Sequence, residues 1–265
     1  MSGSPAGADP APVLVVAATE MELAPLREAL DRAQGAEGVW GARLHGLVAG
    51  LPVVVAAHGI GKVNAAAGTM AHLLEVRPRA IVQVGIGGAY LGSFLSNGLV
   101  AAAAEELQLD LGLRHADGRV EGLSALAFPA TPALGDRPAR DERVPTHEGL
   151  QRALRELVGL PTLRFATLDA VTADVDVGAA LQRAHDVSVE SMEGAAVAQL
   201  ADRLAVPFAE LRGVSNLVGE RDKRLWDVRG AVRASCAAAR TLLLGWHEHP
   251  ATQVIRGSAV PGDGC

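Results

Sequence analysis

The sequence predicts an α/β fold in which one central sheet is flanked by helices. Apolar segments without polar alternation, such as VLVVAA (13–18) and AIVQVG (80–85), are typical of strands buried on both faces of a sheet. Stretches with helical spacing alternate with them along the chain. With 265 residues, the chain is long enough to bury one large core. We therefore expect a single domain with a mainly parallel sheet covered on both faces.

The predicted elements follow in order from the first strand. Helical spacing at 20–30 is followed by a pair of apolar segments punctuated by glycine, at 42–50 and 51–59. An alanine-rich helix is expected at 61–76, before the strand at 80–85. The later elements are a proline-rich surface loop at 128–149, strands at 163–171 and 207–215, and helices at 192–205 and 229–246.

The two ends of the chain are rich in glycine, proline and alanine. We expect disordered tails at 1–12 and 249–265, on either side of a domain at 13–248. Residues 1–12 lack the features of a signal peptide. No uncharged apolar run reaches the roughly 18 residues that a membrane-spanning helix requires. A cytoplasmic protein is expected, with no membrane partner.

Charge and cysteine content argue against several classes of function. The formal net charge of −6 provides no basic surface for nucleic acid or for an anionic membrane. Cys236 and Cys265 are far apart, and two cysteines make neither a disulfide framework nor a cysteine-rich metal site. His247 and His249 lack the spacing of a zinc motif. The sequence therefore predicts no metal and no organic cofactor.

Two glycine-rich segments look like nucleotide-binding motifs without matching them. HGIGKVN (58–64) has Val63 where a P-loop requires Ser or Thr, and GIGGAY (85–90) has Tyr90 where a dinucleotide motif requires Gly or Ala. Each is a tight turn on the simplest interpretation. Both are still expected to place flexible backbone at a strand end, where amides can approach a ligand.

Acidic residues stand where two helices are expected to begin. Glu20 and Glu22 follow the first strand, and acids in a first helical turn often only complement the helix dipole. Glu190 and Glu193 precede an apolar helix, where capping by Ser191 is the simple explanation. The alternative is a binding site, because a carboxylate buried at such a helix start needs a partner, and bound hydroxyl groups would be suitable.

Taken together, these segments resemble the nucleoside phosphorylase/nucleosidase superfamily, in particular the branch that holds methylthioadenosine/S-adenosylhomocysteine nucleosidase and futalosine hydrolase. The resemblance runs from about residue 13 to 246. It implies a single-domain nucleoside phosphorylase-like fold with a mixed central sheet, a small-molecule purine nucleoside as substrate, and a homodimer or higher homo-oligomer. The matching segments are AATEMEL (17–23), HGIGKVNAA (58–66), QVGIGGAYLG (83–92), ESMEGAAVAQLADRLAVPF (190–208) and LRGVSN (211–216).

The resemblance also implies roles for individual residues. Glu22 matches the acid that activates the attacking water, and Glu193 matches the carboxylate that binds the ribose hydroxyls. Met192 matches the residue that packs against the sugar. Gly87 and Gly88 match the loop that runs beside the ribose and the base.

Asn216 stands where the methylthioadenosine enzymes have a purine-contacting aspartate, and Ser215 beside it is also expected to contact substrate. An aspartate can accept a hydrogen bond from the 6-amino group of adenine, whereas O6 of a 6-oxopurine is itself an acceptor. An amide offers a donor for O6 and an acceptor for a protonated N7. Because the departing purine must be stabilised at N7, Asn216 indicates hypoxanthine or guanine as the leaving base.

Water is the expected nucleophile. Phosphorolysis needs an anion site, usually with arginine, but the two glycine-rich segments hold only Lys62, and Glu22 would repel phosphate. Residues 215–228 most resemble the futalosine hydrolase branch, whose substrate carries a carboxyphenyl ketone at its 5′ end and lies on the alternative menaquinone pathway. The resemblance thus implies that Arg221, Arg224 and Trp226 bind the aromatic acid; the alternative is a solvated basic loop.

Three other functions stay open at this stage. A methylthioadenosine/S-adenosylhomocysteine nucleosidase is disfavoured by Asn216, and a 6-oxopurine nucleoside phosphorylase is disfavoured by the missing arginine. A nucleoside-binding protein without catalysis is disfavoured by Glu22, because binding alone requires no base for water.

Overall fold

The structure is a computed structural model that describes residues 11–255. Within this range, strands β1 to β12 span Val13–Ala17, Asp31–Ala36, Arg43–Val48, Leu51–Ala57, Ala80–Ala89, Val100–Gln108, Leu113–Arg114, Val120–Glu121, Arg143–Pro145, Thr162–Thr167, Val189–Ser191 and Phe208–Leu217. Helices α1 to α7 span Glu20–Glu28, Lys62–Val76, Glu148–Ala153, Val175–His185, Gly194–Leu204, Val228–Leu244 and Pro250–Gln253.

One large mixed sheet organises the fold. Its strand order is β11-β10-β6-β12-β5-β1-β4-β3-β2, and β9 pairs with β6. β4, β1, β5 and β12 are parallel neighbours, but β12 meets β6 in antiparallel orientation. The sheet is therefore mixed, as the resemblance implied, and not mainly parallel, although β6, β10 and β11 are again parallel neighbours. The outer antiparallel pairing follows from tight turns, since β3 and β4 are joined by only Ala49 and Gly50, both with positive φ.

The central strand β1 shows why the apolar segments lack alternation. All five of its residues are buried, and successive side chains enter two different cores. Val13 and Val15 pack with residues of α1, α3 and α6, whereas Leu14 and Val16 pack with residues of α2 and α5. Helices therefore cover both faces of the sheet, as the sequence predicted.

Five strands at one side of the sheet close into a ring. β11 pairs with β10 on one side and with β5 on the other, which joins β5, β12, β6, β10 and β11 in a circle. Gly87 makes this closure possible, because a Cβ at that position would lie 2.6 Å from Cγ1 of Val189. The prediction of a tight turn at 85–90 is therefore wrong. Gly85 to Ala89 continue β5, and Gly87 and Gly88 pair with Val214 and Asn216 of β12.

The predicted C-terminal boundary also requires correction. Residues 249–255 are ordered as part of the domain: α7 begins at Pro250, and Ala251 and Thr252 are buried. His249 is only 5% exposed, and it caps α7 while its Nε2 lies 2.8 Å from Glu156. The expected tails at 1–10 and 256–265, with Cys265, lie outside the described residues. No helix within residues 11–255 has the length and apolar character to cross a membrane.

Several elements were not predicted from the sequence. They include β2, β6, β7, β8 and α4, together with β9 and α3, which begin within the expected surface loop at 128–149. β2 is almost fully exposed and polar, so its sequence carries no burial pattern. It forms because it pairs with β3.

Candidate active site

A cavity of about 280 Å³ lies at the ring of strands, where β1, β5 and β12 end and β11 leads into α5. The C-terminal ends of parallel strands are the usual place for a binding site in an α/β sheet. The cavity brings together segments that are distant in sequence. Nine of the ten predicted site residues line it, all except Arg224: Glu22, Gly87, Gly88, Met192, Glu193, Ser215, Asn216, Arg221 and Trp226.

Glu22 has both a capping role and a place in the cavity. Its Oε2 accepts hydrogen bonds from the backbone N–H and the hydroxyl of Thr19, at 3.0 and 2.8 Å, which completes a capping box at the start of α1. Its Oε1 accepts from the N–H of Ile86 at 3.1 Å. A carboxylate has about four acceptor positions, so Glu22 retains one for a ligand. The simple explanation, helix charge, is correct but incomplete.

Glu193 stands at the N-cap of α5 but does not cap it with its side chain. Its Oε1 accepts from the N–H of Gly61 at 3.2 Å, and its Oε2 accepts from Nη2 of Arg212 at 3.2 Å. The side chain is 4% exposed and keeps acceptor capacity toward the cavity. Capping by Ser191, the simple explanation, is wrong: the hydroxyl of Ser191 has no hydrogen-bond partner among the described residues.

Arg212 is the residue of this cavity that the sequence reasoning missed. It lines the cavity from β12 while being only 1% exposed. Its guanidinium donates to Glu210, to the carbonyl of Ile86 and to Glu193, at 2.7, 3.1 and 3.2 Å. Its neighbouring carboxylates raise the pKa of Arg212 despite the opposing effect of burial, so it stays charged. The signal in the sequence is an acid and an arginine two residues apart, Glu210 and Arg212, in a largely apolar strand.

The amide of Asn216 has a defined orientation. Its Nδ2 donates to the carbonyl of Leu217 at 2.8 Å, and its Oδ1 accepts from the hydroxyl of Ser215 at 2.7 Å. A carbonyl oxygen can only accept, so the nitrogen must face Leu217 and the amide cannot be flipped. Asn216 therefore keeps one N–H donor and one acceptor position, which is the pair that a protonated 6-oxopurine requires.

Glu190, the second acid of the VESMEG segment, closes one wall of the cavity. Its carboxylate accepts hydrogen bonds from the backbone N–H and the hydroxyl of Thr172, at 2.8 and 2.7 Å, and from the hydroxyl of Tyr90 at 2.8 Å. Burial and the Glu190 charge raise the pKa of Tyr90, which therefore remains a donor. Glu190 thus holds the wall in place, and the half-buried Met192 adds an apolar surface to it.

The basic loop after β12 divides into a part at the cavity and a part away from it. Arg221 and Trp226 line the cavity, and the guanidinium carbon of Arg221 lies 5.2 Å from the centroid of the Trp226 ring, in a cation–π arrangement. Arg224 does not line the cavity. Its side chain is 89% exposed and is held by Asp222. For Arg224 the structure supports the simple explanation, a solvated basic residue.

Lys62, the cation of the first glycine-rich segment, is also occupied away from the cavity. Its ammonium group pairs with Asp110 and Asp169, and its backbone N–H donates to Asp169. These contacts join the start of α2 to the chain segments that follow β6 and β10. Among residues 11–255, no three His, Cys, Asp or Glu side chains form a group that could hold a metal ion.

This chain is similar to several known proteins in sequence and in structure. The family model of the phosphorylase superfamily matches residues 12–245. The futalosine hydrolase of Thermus thermophilus is 40% identical over 70% of this chain and 78% of its own length. The futalosine hydrolase of Streptomyces coelicolor is 34% identical over 89% of this chain and 98% of its own. A methylthioadenosine/S-adenosylhomocysteine nucleosidase of Colwellia psychrerythraea, solved with adenine, has a TM-score of 0.76 at 23% identity, over 89% of this chain and 95% of that one.

Proposed function

We propose that this chain, which belongs to the phosphorylase superfamily, is an N-glycosidic bond hydrolase that releases hypoxanthine from futalosine. The observation that carries the proposal is the convergence of Glu22, Glu193 and Asn216 in one cavity. They supply the three functions that hydrolysis of a purine nucleoside requires, namely a base for water, a partner for the ribose and a partner for the departing base.

Glu22 is the proposed base. Three hydrogen bonds from Thr19 and Ile86 hold its carboxylate in one orientation, and the free acceptor position can take a proton from water. A fixed carboxylate lowers the entropic cost of placing water for attack at C1′. Glu193, oriented in the same way by Gly61 and Arg212, has two acceptor positions left for the two ribose hydroxyls.

Asn216 is the proposed partner of the leaving base. As the glycosidic bond breaks, electrons move into the purine, and N7 gains a proton or a strong hydrogen bond. The free N–H of Asn216 can donate to O6, and its free acceptor position can face the protonated N7. This pattern fits a 6-oxopurine and lacks the acid that would favour adenine. The same mismatch disfavours a methylthioadenosine/S-adenosylhomocysteine nucleosidase.

Water is favoured over phosphate by the charge of the cavity. The premise that arginine is missing needs correction, because Arg212 and Arg221 both line the site. However, Arg212 lies among Glu22, Glu193 and Glu210, so three carboxylates offset one guanidinium. A phosphate dianion would meet a net negative environment there, whereas water would not.

The 5′ end of the substrate is assigned to Arg221 and Trp226. A carboxyphenyl group offers an aromatic face for Trp226 and a carboxylate for Arg221, and Arg221 already lies over the ring. Exposed apolar side chains at the cavity, Met21 and Ile60, each 55% exposed, support a second protomer that covers this end. We therefore propose a homodimer. As a futalosine hydrolase, it would act in the cytoplasm, in the alternative menaquinone pathway.

The test is incubation of the purified protein with futalosine, inosine and methylthioadenosine, with and without phosphate. Free hypoxanthine and a reducing sugar should form from futalosine at the same rate in both buffers. A ribose 1-phosphate product would indicate a phosphorylase instead. Preferred release of adenine from methylthioadenosine would contradict the role of Asn216.

A further inference from the structure

Two buried glutamates face each other beside the cavity, although neither lines it. Glu106 lies on β6 and Glu210 on β12, and both are 0% exposed. One oxygen of each is hydrogen-bonded: Oε2 of Glu106 accepts from the hydroxyl of Thr167 at 2.6 Å, and Oε1 of Glu210 accepts from Nε of Arg212 at 2.7 Å. The other oxygen of each, Oε1 of Glu106 and Oε2 of Glu210, has no donor among the described residues.

These two unpaired oxygens lie on the same side of the pair, beside each other. Both lie directly beneath Gly194, where a Cβ would collide with each of them. Two ionised carboxylates in this position would repel each other, and neither would have water to compensate. One proton on Glu106 removes a charge and supplies a donor for Glu210. Burial and the charge of Glu210 raise the pKa of Glu106 well above its ordinary value.

We propose that Glu106 and Glu210 share one proton, held by Glu106, and that this pair positions Arg212 and, through Arg212, the glutamate of the sugar site, Glu193. The second half of the proposal rests on the proposed function of the cavity. The proton resides on Glu106 because Glu210 contacts the guanidinium, whose charge favours an ionised partner, whereas Glu106 is bonded only to a neutral hydroxyl.

The ionised Glu210 fixes one edge of a planar guanidinium, and this determines where the other nitrogens point. Nη2 of Arg212 then reaches Glu193, and Nη1 reaches the carbonyl of Ile86, the residue whose N–H binds Glu22. Both proposed catalytic carboxylates are therefore connected to the buried pair. We assign Glu106 and Glu210 as positioning residues, since neither lines the cavity.

The charged and titratable groups around Glu106 are few. Glu210 and Arg212 face it from β12, and the protonated Tyr90, which follows β5, is the third. Thr167 of β10 is neutral, and Glu193 at the start of α5 is linked to the pair through Arg212. A change in the charge of the pair is therefore transmitted first to Arg212.

The proton is tested by stability, without any substrate. Glu106→Gln replaces the protonated acid by an amide that can still donate to Glu210, and Glu105→Gln is the matched control on the same strand, where Glu105 pairs with Arg164. In the unfolded chain Glu106 ionises above about pH 4.3, while the folded chain keeps its proton. The unfolding constant of the wild type should therefore rise by up to about tenfold per pH unit above that value, relative to Glu106→Gln.

Chemical denaturation between pH 5 and 8 measures this difference. Parallel pH dependence of the wild type and Glu106→Gln would overturn the shared proton. A second measurement covers the case in which the variant does not fold: the wild type should show the infrared carbonyl band of a protonated carboxyl group at neutral pH. Absence of that band would also overturn the proposal.

The positioning role is tested by turnover of futalosine. Glu106→Gln should keep kcat/KM within about threefold, because the donor is retained, whereas Glu106→Met should lose about 10- to 100-fold, the range expected for a charge-assisted hydrogen bond at a buried site. Equal activity of the two variants would overturn the positioning role. Failure of the wild type to cleave any nucleoside would instead refute the proposed function, and the stability test of the shared proton would still hold.

Discussion

Replacing Asn216 by aspartate tests the choice of base most directly. In the wild type, Nδ2 of Asn216 donates to the carbonyl of Leu217 and still has a second N–H for the substrate. The variant Asn216→Asp has no N–H, so O6 of a 6-oxopurine loses its donor. Loss of a hydrogen bond that leaves a buried acceptor unpaired costs about 1–3 kcal/mol, which corresponds to about 5- to 150-fold in kcat/KM.

The same change should help a 6-aminopurine, because the introduced acid can accept from the amino group. The quantity to measure is the ratio of kcat/KM for futalosine to that for its 6-amino counterpart, in the wild type and in Asn216→Asp. We expect this ratio to fall by at least the factor above. If it stays constant, Asn216 does not contact the base and the assignment of a 6-oxopurine loses its physical support.

The structure adds a complication and a control. An ionised acid at this position would face the carbonyl of Leu217, so the variant should also lose stability, by about 1–3 kcal/mol, measured by denaturation. Asn97→Asp is the matched control, because Asn97 donates to the carbonyl of Leu225 at 2.9 Å and lies outside the cavity lining. It should lower stability without changing the ratio, which separates base recognition from damage to the loop.

Three further predictions concern other residues. Glu22→Gln should reduce kcat strongly while leaving KM nearly unchanged, because its role belongs to the chemical step; near-normal kcat would remove Glu22 from the mechanism. Arg221→Ala should weaken futalosine by about 1.5–3 kcal/mol relative to inosine, whereas Arg224→Ala should have no effect; equal losses on both substrates would point to general damage of the loop. Burial lowers the pKa of His58 to about 4, so protonation favours the unfolded chain below about pH 6.5. The wild type should therefore lose about 3 kcal/mol of its free energy of unfolding between pH 6.5 and 4, and His58→Gln should abolish this loss in denaturation experiments. An equal loss in His58→Gln would contradict the prediction.

The central strands and most helices could be predicted because their signals are local. β1 is apolar throughout, since neighbours on both faces bury it, and α2 and α6 have the composition and spacing of helices. Glu22 and Glu193 could be singled out in the same way, as acids at the start of helices. Each was compatible with a simple explanation, and only their convergence in one cavity distinguishes the two.

Arg212 and Arg224 show the limit of local reasoning. In the sequence, Arg224 belongs to a basic run beside the expected site, and Arg212 lies two residues after Glu210 in a largely apolar strand. The structure reverses their importance, because Asp222 holds Arg224 at the surface, whereas Glu210, Glu193 and the carbonyl of Ile86 hold Arg212 in the cavity. Two of the three partners come from outside β12, from Ile86 of β5 and from Glu193 before α5, and sequence spacing does not reveal such contacts.

By itself, the sequence determined the α/β class and the main strands and helices, because burial patterns are carried along the chain. The resemblance of its motifs to a known superfamily supplied nine of the residues that line the cavity. Only the tertiary structure decided that β11 closes a ring against β5, that Glu106 and Glu210 face each other, and that Arg212 joins them to Glu193. These features join different elements: β11 and β5, like Glu106 and Glu210, are about 100 residues apart in sequence, and Arg212 of β12 contacts Glu193 at the start of α5. They depend on the register of the strands, which is fixed by packing of the whole sheet.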